Sequence, residues 1–172
     1  MHCDARKHLL RLTLGLMALA LPSCSSSSSA TEPATIPDVT GSYTITGTYS
    51  PRTGSDTGLF GTMDITGQTG GTATASMAVK LLDHGNTSFA LNTPDDAVSA
   101  TVPASQAVVG SDGSFTLEFS GREEITGIDP ADCCQFTFAF SGTVGSSGAI
   151  SGSWVLTTDM PSQDNGTFNA AP

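Results

Sequence analysis

Phe136-Thr137-Phe138-Ala139-Phe140 and, just downstream, Ile150-Ser151-Gly152-Ser153-Trp154-Val155-Leu156 decide how this chain folds. The three phenylalanines recur at every second position, with Thr137 and Ala139 between them. Ile150, Trp154 and Leu156 share one parity, while Ser151, Ser153 and Val155 share the other. A period of two is that of a β-strand, whose successive side chains point to opposite faces. On a helix the same rings would scatter around the circumference. Bulky apolar groups on one face and small or hydroxyl groups on the other describe a half-buried antiparallel strand.

The alternation extends through most of the chain. Tyr43, Ile45 and Tyr49 oppose Thr44, Thr46 and Thr48. Leu59, Met63 and Ile65 oppose Phe60, Thr62 and Asp64, and Ala73, Ala75, Met77 and Val79 oppose Thr74, Ser76, Ala78 and Lys80. Phe115, Leu117 and Phe119 oppose Thr116 and Glu118. The breaks carry turn chemistry: Pro51-Arg52-Thr53-Gly54, Asp83-His84-Gly85-Asn86, Ser111-Asp112-Gly113-Ser114 and Gln163-Asp164-Asn165-Gly166 all suit Asx turns or a left-handed backbone. Strands are expected over about 41–49, 58–66, 72–81, 87–92, 97–102, 105–110 with 114–120, 135–144, 148–157 and 165–170. Short links between them imply sequential hairpins. The expected fold is all-β, an antiparallel up-and-down β-barrel of about 8–9 strands, with a β-sandwich as the alternative.

Residues 136–168 (FTFAFSGTV…GAISGSWVLTT…NGTF) resemble the final hairpins of small calycin-like barrel proteins. That resemblance implies a barrel in which glycines permit tight strand coiling. It also makes Tyr43, Phe138 and Trp154 candidates for lining a small apolar ligand; the simpler reading is that they fill the core.

The N-terminus reads differently. Arg6, Lys7 and Arg11 precede the apolar run of residues 12–21 (LTLGLMALAL). The run is too short for a helix to cross a hydrocarbon core of about 30 Å and suits a signal-peptide core. Leu21-Pro22-Ser23-Cys24 resembles the lipobox of bacterial lipoproteins. This implies cleavage before Cys24, a diacylglycerol on its sulfur, attachment to the membrane through that lipid, and an outer-membrane location suggested by Ser25. Residues 25–37 (SSSSSATEPATIP) read as a flexible spacer. The expected organisation is a signal peptide over 1–23, a lipidated cysteine with its Ser/Pro tether over 24–40, and the β-domain over 41–172.

Charge limits the partners. The chain of 172 residues is 13% charged with a net charge of −10. Without the first 23 residues, three basic residues face 15 acidic ones, a net charge of −12. Such a surface repels phosphate backbones, so nucleic acid is not an expected partner. A small apolar ligand or an envelope protein is.

No residue set carries recognisable catalytic, metal or cofactor spacing, so no catalytic residue, metal or cofactor is expected. His84 stands alone after the leader, in an expected turn. The acidic pairs Asp95-Asp96 and Glu123-Glu124, and Asp129 and Asp132 about Pro130, read as loop charges. A hydrolase would need two of them to converge across a cleft. Cys133-Cys134 is the one distinctive pair: a disulfide between neighbours, two thiols and a bridge to another chain all remain open. The expected function is a membrane-anchored, non-enzymatic binding or interaction module. A purely structural surface lipoprotein is the alternative, and a hydrolase the second alternative.

Overall fold

The computed structural model describes residues 34–49, 56–84, 87–93, 98–125, 134–159 and 163–172. Among them every regular element is a strand: β1 Gly41–Tyr49, β2 Asp56–Thr69, β3 Thr72–His84, β4 Thr87–Leu91, β5 Val98–Ala100, β6 Ser105–Val109, β7 Ser114–Arg122, β8 Glu124–Ile125, β9 Gln135–Val144, β10 Ile150–Thr158 and β11 Gln163–Ala171. Eight of them, β1, β2, β3, β6, β7, β9, β10 and β11, pair antiparallel in a ring that closes on itself through β1–β11. The protein is therefore a closed antiparallel barrel, and the sandwich alternative is set aside. Closure removes the unpaired edges that an open sheet of this size would expose.

Alternation places the side chains as their chemistry requires. Tyr43, Ile45, Leu59, Met63, Ile65, Met77, Val79, Phe115, Leu117, Phe119, Phe136, Phe138, Phe140, Trp154, Leu156 and Phe168 are all buried inside. The outer face carries mainly hydroxyls, some paired across strands, as in Thr48–Thr167 (2.7 Å) and Ser120–Thr137 (3.2 Å). An eight-stranded barrel is about wide enough for side chains to fill it.

One feature departs from the expected meander. The link from β4 to β5 is not a hairpin, because these two strands run parallel. β3 explains why: its first half pairs with β6 (Thr72↔Val108 to Ala75↔Ser105), its second half with β4 (Val79↔Leu91 to Leu81↔Phe89). β4 is thus a wedge between β3 and β5, and β5 pairs in turn with β8. The wedge widens the barrel at that end. Phe89 from β4 fills the added width, packing edge-on against Phe136 and Phe138 with ring centres 5.4 and 6.1 Å away.

Asn92 stands where the wall forks. Its Nδ2 donates to the Met77 carbonyl (2.8 Å), and its Oδ1 accepts from the Val102 amide (2.9 Å). It thereby serves two backbone groups that lose their strand partner where β3 switches neighbours. Its φ of 54° is left-handed, which asparagine tolerates better than most residues. Asn92→Ala is expected to destabilise the fold by about 2–3 kcal/mol, combining two lost bonds with backbone strain. Asn92→Gly, which relieves the strain alone, should fall between the two. Urea unfolding midpoints of the three proteins test this order.

The two ends of the barrel differ. At one, here the turn end, lie the short links Gly70–Gly71, 110–113 and 145–149. Gly113 at φ 81° and the bond from the Ser114 amide to Asp112 Oδ1 (3.0 Å) close the second of these. The chain also enters here. Val39 is fully buried, its amide donates to Gln68 Oε1 (2.9 Å), and Gln68 Nε2 donates to the Pro37 carbonyl (2.8 Å). Packing thus begins at Pro37, ahead of the first strand. At the other, the loop end, β1, β3, β7 and β10 finish and β2, β4, β9 and β11 begin.

Candidate functional site

Two places merit chemical scrutiny: the barrel interior, and the outer wall at the loop end. The interior is occupied by rings in contact. Trp154 stands 5.5 Å from Phe138 and 5.8 Å from Tyr49, Phe138 stands 4.6 Å from Phe140, and Phe140 stands 5.3 Å from Phe168 (centre to centre). These tilted and edge-on arrangements are the favourable ones for aromatic pairs. The Trp154 indole nitrogen donates to the Thr48 carbonyl at 3.0 Å, so its one polar atom is satisfied within the wall. Of the three candidate lining residues, Phe138 and Trp154 meet at the centre of this stack.

Tyr43 lies apart, nearer the turn end, with its hydroxyl donating to the Val39 carbonyl (2.9 Å). Burial pushes its ionisation above the ordinary value of 10.0, and the negative charge of Asp38 adds to the shift. A raised acid pKa means that the unfolded chain loses its proton first as pH rises. Tyr43 therefore contributes stability that is intact below about pH 10 and is lost above it. Tyr43→Phe should cost about 1 kcal/mol at neutral pH for the lost hydrogen bond. Its unfolding midpoint should then vary less than that of the wild type between pH 9.5 and pH 11, a range chosen about that ordinary value. Asp38 and Asp112 shift the other way: bonds from the Thr40 amide and hydroxyl, and from the Ser114 hydroxyl and amide, hold their carboxyls below the usual range. What they contribute is present at neutral pH and lost on acidification.

At the loop end the inward face turns polar. Glu123 and Thr158 are the buried polar side chains among the described residues, and Cys134 is fully buried beside them. The Glu123 amide donates to the Cys134 carbonyl at 2.9 Å. Cys134 is disulfide-bonded; its partner lies outside the described residues, as do Cys24 and Cys133. Glu123 points inward while Glu124 is exposed, so the adjacent carboxylates occupy opposite faces of the strand and do not converge. Asp95, Asp96, Asp129 and Asp132 lie outside the described residues. His84 is the last residue of β3, paired with Thr87, rather than part of the turn itself; its side chain lies outside what the structure describes.

Outside this layer, β7, β9 and β10 form a shallow groove of about 680 Å³. Two cross-strand rows line it. Ser120, Thr137 and Thr157 are aligned by register. Arg122 stands opposite Gln135, and the Asp159 amide donates to the Gln135 carbonyl (3.0 Å). A guanidinium, an amide and a carboxylate thus stand on three adjacent strands above a row of hydroxyls. Such a surface offers hydrogen-bonding groups to a polar partner, with Gly121 and Phe136 between them. No local signal in the sequence pointed to this set, because its members are brought together only by strand pairing.

No group of His, Cys, Asp and Glu among the described residues has the arrangement of a metal site. No helix among them is long and apolar enough to cross a membrane. In class the molecule is a small all-β closed barrel with a wedge strand. Comparison with protein-family models, with curated proteins and with solved structures finds no match.

Proposed function

We propose that this protein is an envelope lipoprotein, anchored through a lipid on Cys24 and acting not as an enzyme but as a binding or interaction module with a calycin-like barrel. The observation that carries the reading is the interior. The rings that would line a ligand cavity touch one another instead, and the Trp154 nitrogen is bonded to the wall. This favours contact through the outer surface over an apolar ligand held within. The groove of Ser120, Arg122, Gln135, Thr137, Thr157 and Asp159 offers hydrogen-bonding groups for such a contact. Glu123 and Glu124, on opposite faces, lend no support to carboxylate-pair hydrolysis.

A purely structural role in the envelope is the second reading, favoured by the hydroxyl-rich outer wall. Native mass spectrometry of protein from its own membrane, together with a photo-crosslinker at Thr157, separates the readings. The interaction module should show an acylated chain beginning at Cys24, no retained apolar molecule, and a discrete crosslinked adduct. Acylated protein without an adduct would favour the structural role. A retained hydrophobic molecule in stoichiometric amount would overturn the outer-surface reading.

A further inference from the structure

Asn165-Gly166 is the one Asn-Gly pair among the four asparagines of the chain. Asparagine before glycine is especially prone to lose its side-chain amide, because a glycine nitrogen has no side chain beside it to hinder its attack. The pair, which turn chemistry alone would put in a loop, lies within β11, in register with Val155 and Trp154 of β10. The fold requires the glycine. A Cβ at Gly166 would overlap the Thr48 carbonyl oxygen and the Trp154 indole nitrogen, the two atoms whose hydrogen bond ties β10 to β1. Just beyond, the Thr167 amide donates to the Thr48 hydroxyl (3.1 Å), and Phe168 to Ala171 pair with Gly47 to Thr44. Asn165 itself is exposed on the outer wall.

We propose that Asn165 is a covalent modification site that the folded barrel shields and the unfolded chain exposes, so that prolonged unfolding becomes irreversible there. In the reaction the Gly166 amide nitrogen attacks the Asn165 side-chain carbonyl carbon. A nitrogen–carbon bond forms, the bond from that carbon to Nδ2 breaks, and the Gly166 proton departs with Nδ2 as ammonia. Water then opens the cyclic imide at either carbonyl. Cleavage at the side-chain carbonyl leaves aspartate, and cleavage at the main-chain carbonyl leaves isoaspartate. An antiparallel strand, with ψ of about +135°, holds the Gly166 nitrogen turned away from the side-chain carbon. Rotating it into the ring geometry would part Asn165 and Gly166 from their partners on β10. The unfolded chain has no such restraint. Isoaspartate lengthens the backbone by one carbon just before Gly166. Gly166 can then no longer sit against Thr48 and Trp154 while Phe168 and Ala170 keep their buried places. A chemically altered unfolded state of this kind removes protein from the folding equilibrium.

The test holds the purified protein at one temperature and pH, in buffer or in guanidinium chloride above its unfolding midpoint, and then refolds it by dilution. Peptide mapping reads the mass gained when the Asn165 amide becomes a carboxyl, and chromatography separates the aspartyl from the isoaspartyl peptide. At least about tenfold more modification is expected in denaturant, because opening of a core strand is rare in the native state. The isoaspartyl form should be concentrated in the fraction that fails to refold. Asn165→Gln, whose cyclisation needs a larger and slower-forming ring, should refold undiminished after the same exposure. Equal modification with and without denaturant, or none in either, overturns the shielded site. Isoaspartyl chains present in equal proportion in the refolded and unrefolded fractions overturn the block to refolding, as does an Asn165→Gln protein that loses refolding yield as fast as the wild type.

Discussion

Replacing Gly152 by alanine should cost at least about 4 kcal/mol, enough to leave little folded protein under conditions where the wild type is native. Gly152 faces Gly142 across the β9–β10 ladder. A Cβ built at Gly152 overlaps the Ser141 carbonyl oxygen and the Gly142 Cα, which are backbone atoms and cannot swing aside as a flexible side chain would. The two strands would have to part, and their pairing is one of the eight joints that close the barrel. A neighbouring substitution separates this steric effect from any general sensitivity of the strand. Ser153 points outward, where its hydroxyl meets that of Ser141 at 3.3 Å, so Ser153→Ala should stay within about 0.5 kcal/mol of wild type. Urea unfolding followed by far-ultraviolet circular dichroism reads both. A Gly152→Ala protein as stable as Ser153→Ala would refute the close approach.

Trp154→Ala is expected to be the most damaging truncation of the core, at about 4–6 kcal/mol. The cavity left by a buried aromatic accounts for about 3–5 kcal/mol. The lost bond from the indole to the Thr48 carbonyl adds about 1 kcal/mol. The room cannot readily refill, because Phe138 is already held against Phe89 and Phe140. Trp154→Phe keeps most of the ring volume and forfeits the hydrogen bond, so about 1–2 kcal/mol is expected. Thermal unfolding by circular dichroism is the suitable measurement, since the substitution removes the sole tryptophan fluorophore. Comparable losses for the two variants would show that the hydrogen bond, rather than ring packing, holds this part of the wall.

The strand alternation was legible residue by residue. Which side of each strand faces inward depends on a period of two, a local property, and the apolar parity identified in β1, β2, β3, β7, β9 and β10 is the parity found buried. Turn chemistry was local as well, as at Asp112-Gly113. What alternation leaves open is partnership. Nothing in Thr87–Leu91 marks it as a wedge between β3 and β5 rather than as one more strand of a meander, because its neighbours are chosen by register at a distance. For the same reason Asn92 carried no visible role: its task arises only once β3 changes partner beside it.

The candidate site divides along the same line. Composition and the N-terminal pattern, read without any tertiary information, determined an acidic β-domain behind an expected lipid anchor. They also determined that Phe138 and Trp154 would lie on one inward face. Only the tertiary structure decided that these rings fill the interior against one another, that Glu123 turns inward while Glu124 turns out, and that Arg122, Gln135 and Asp159 share a groove. Side-chain direction along a strand follows from the geometry of one chain, whereas a site assembled across three strands depends on ring closure and register, which involve the whole barrel at once.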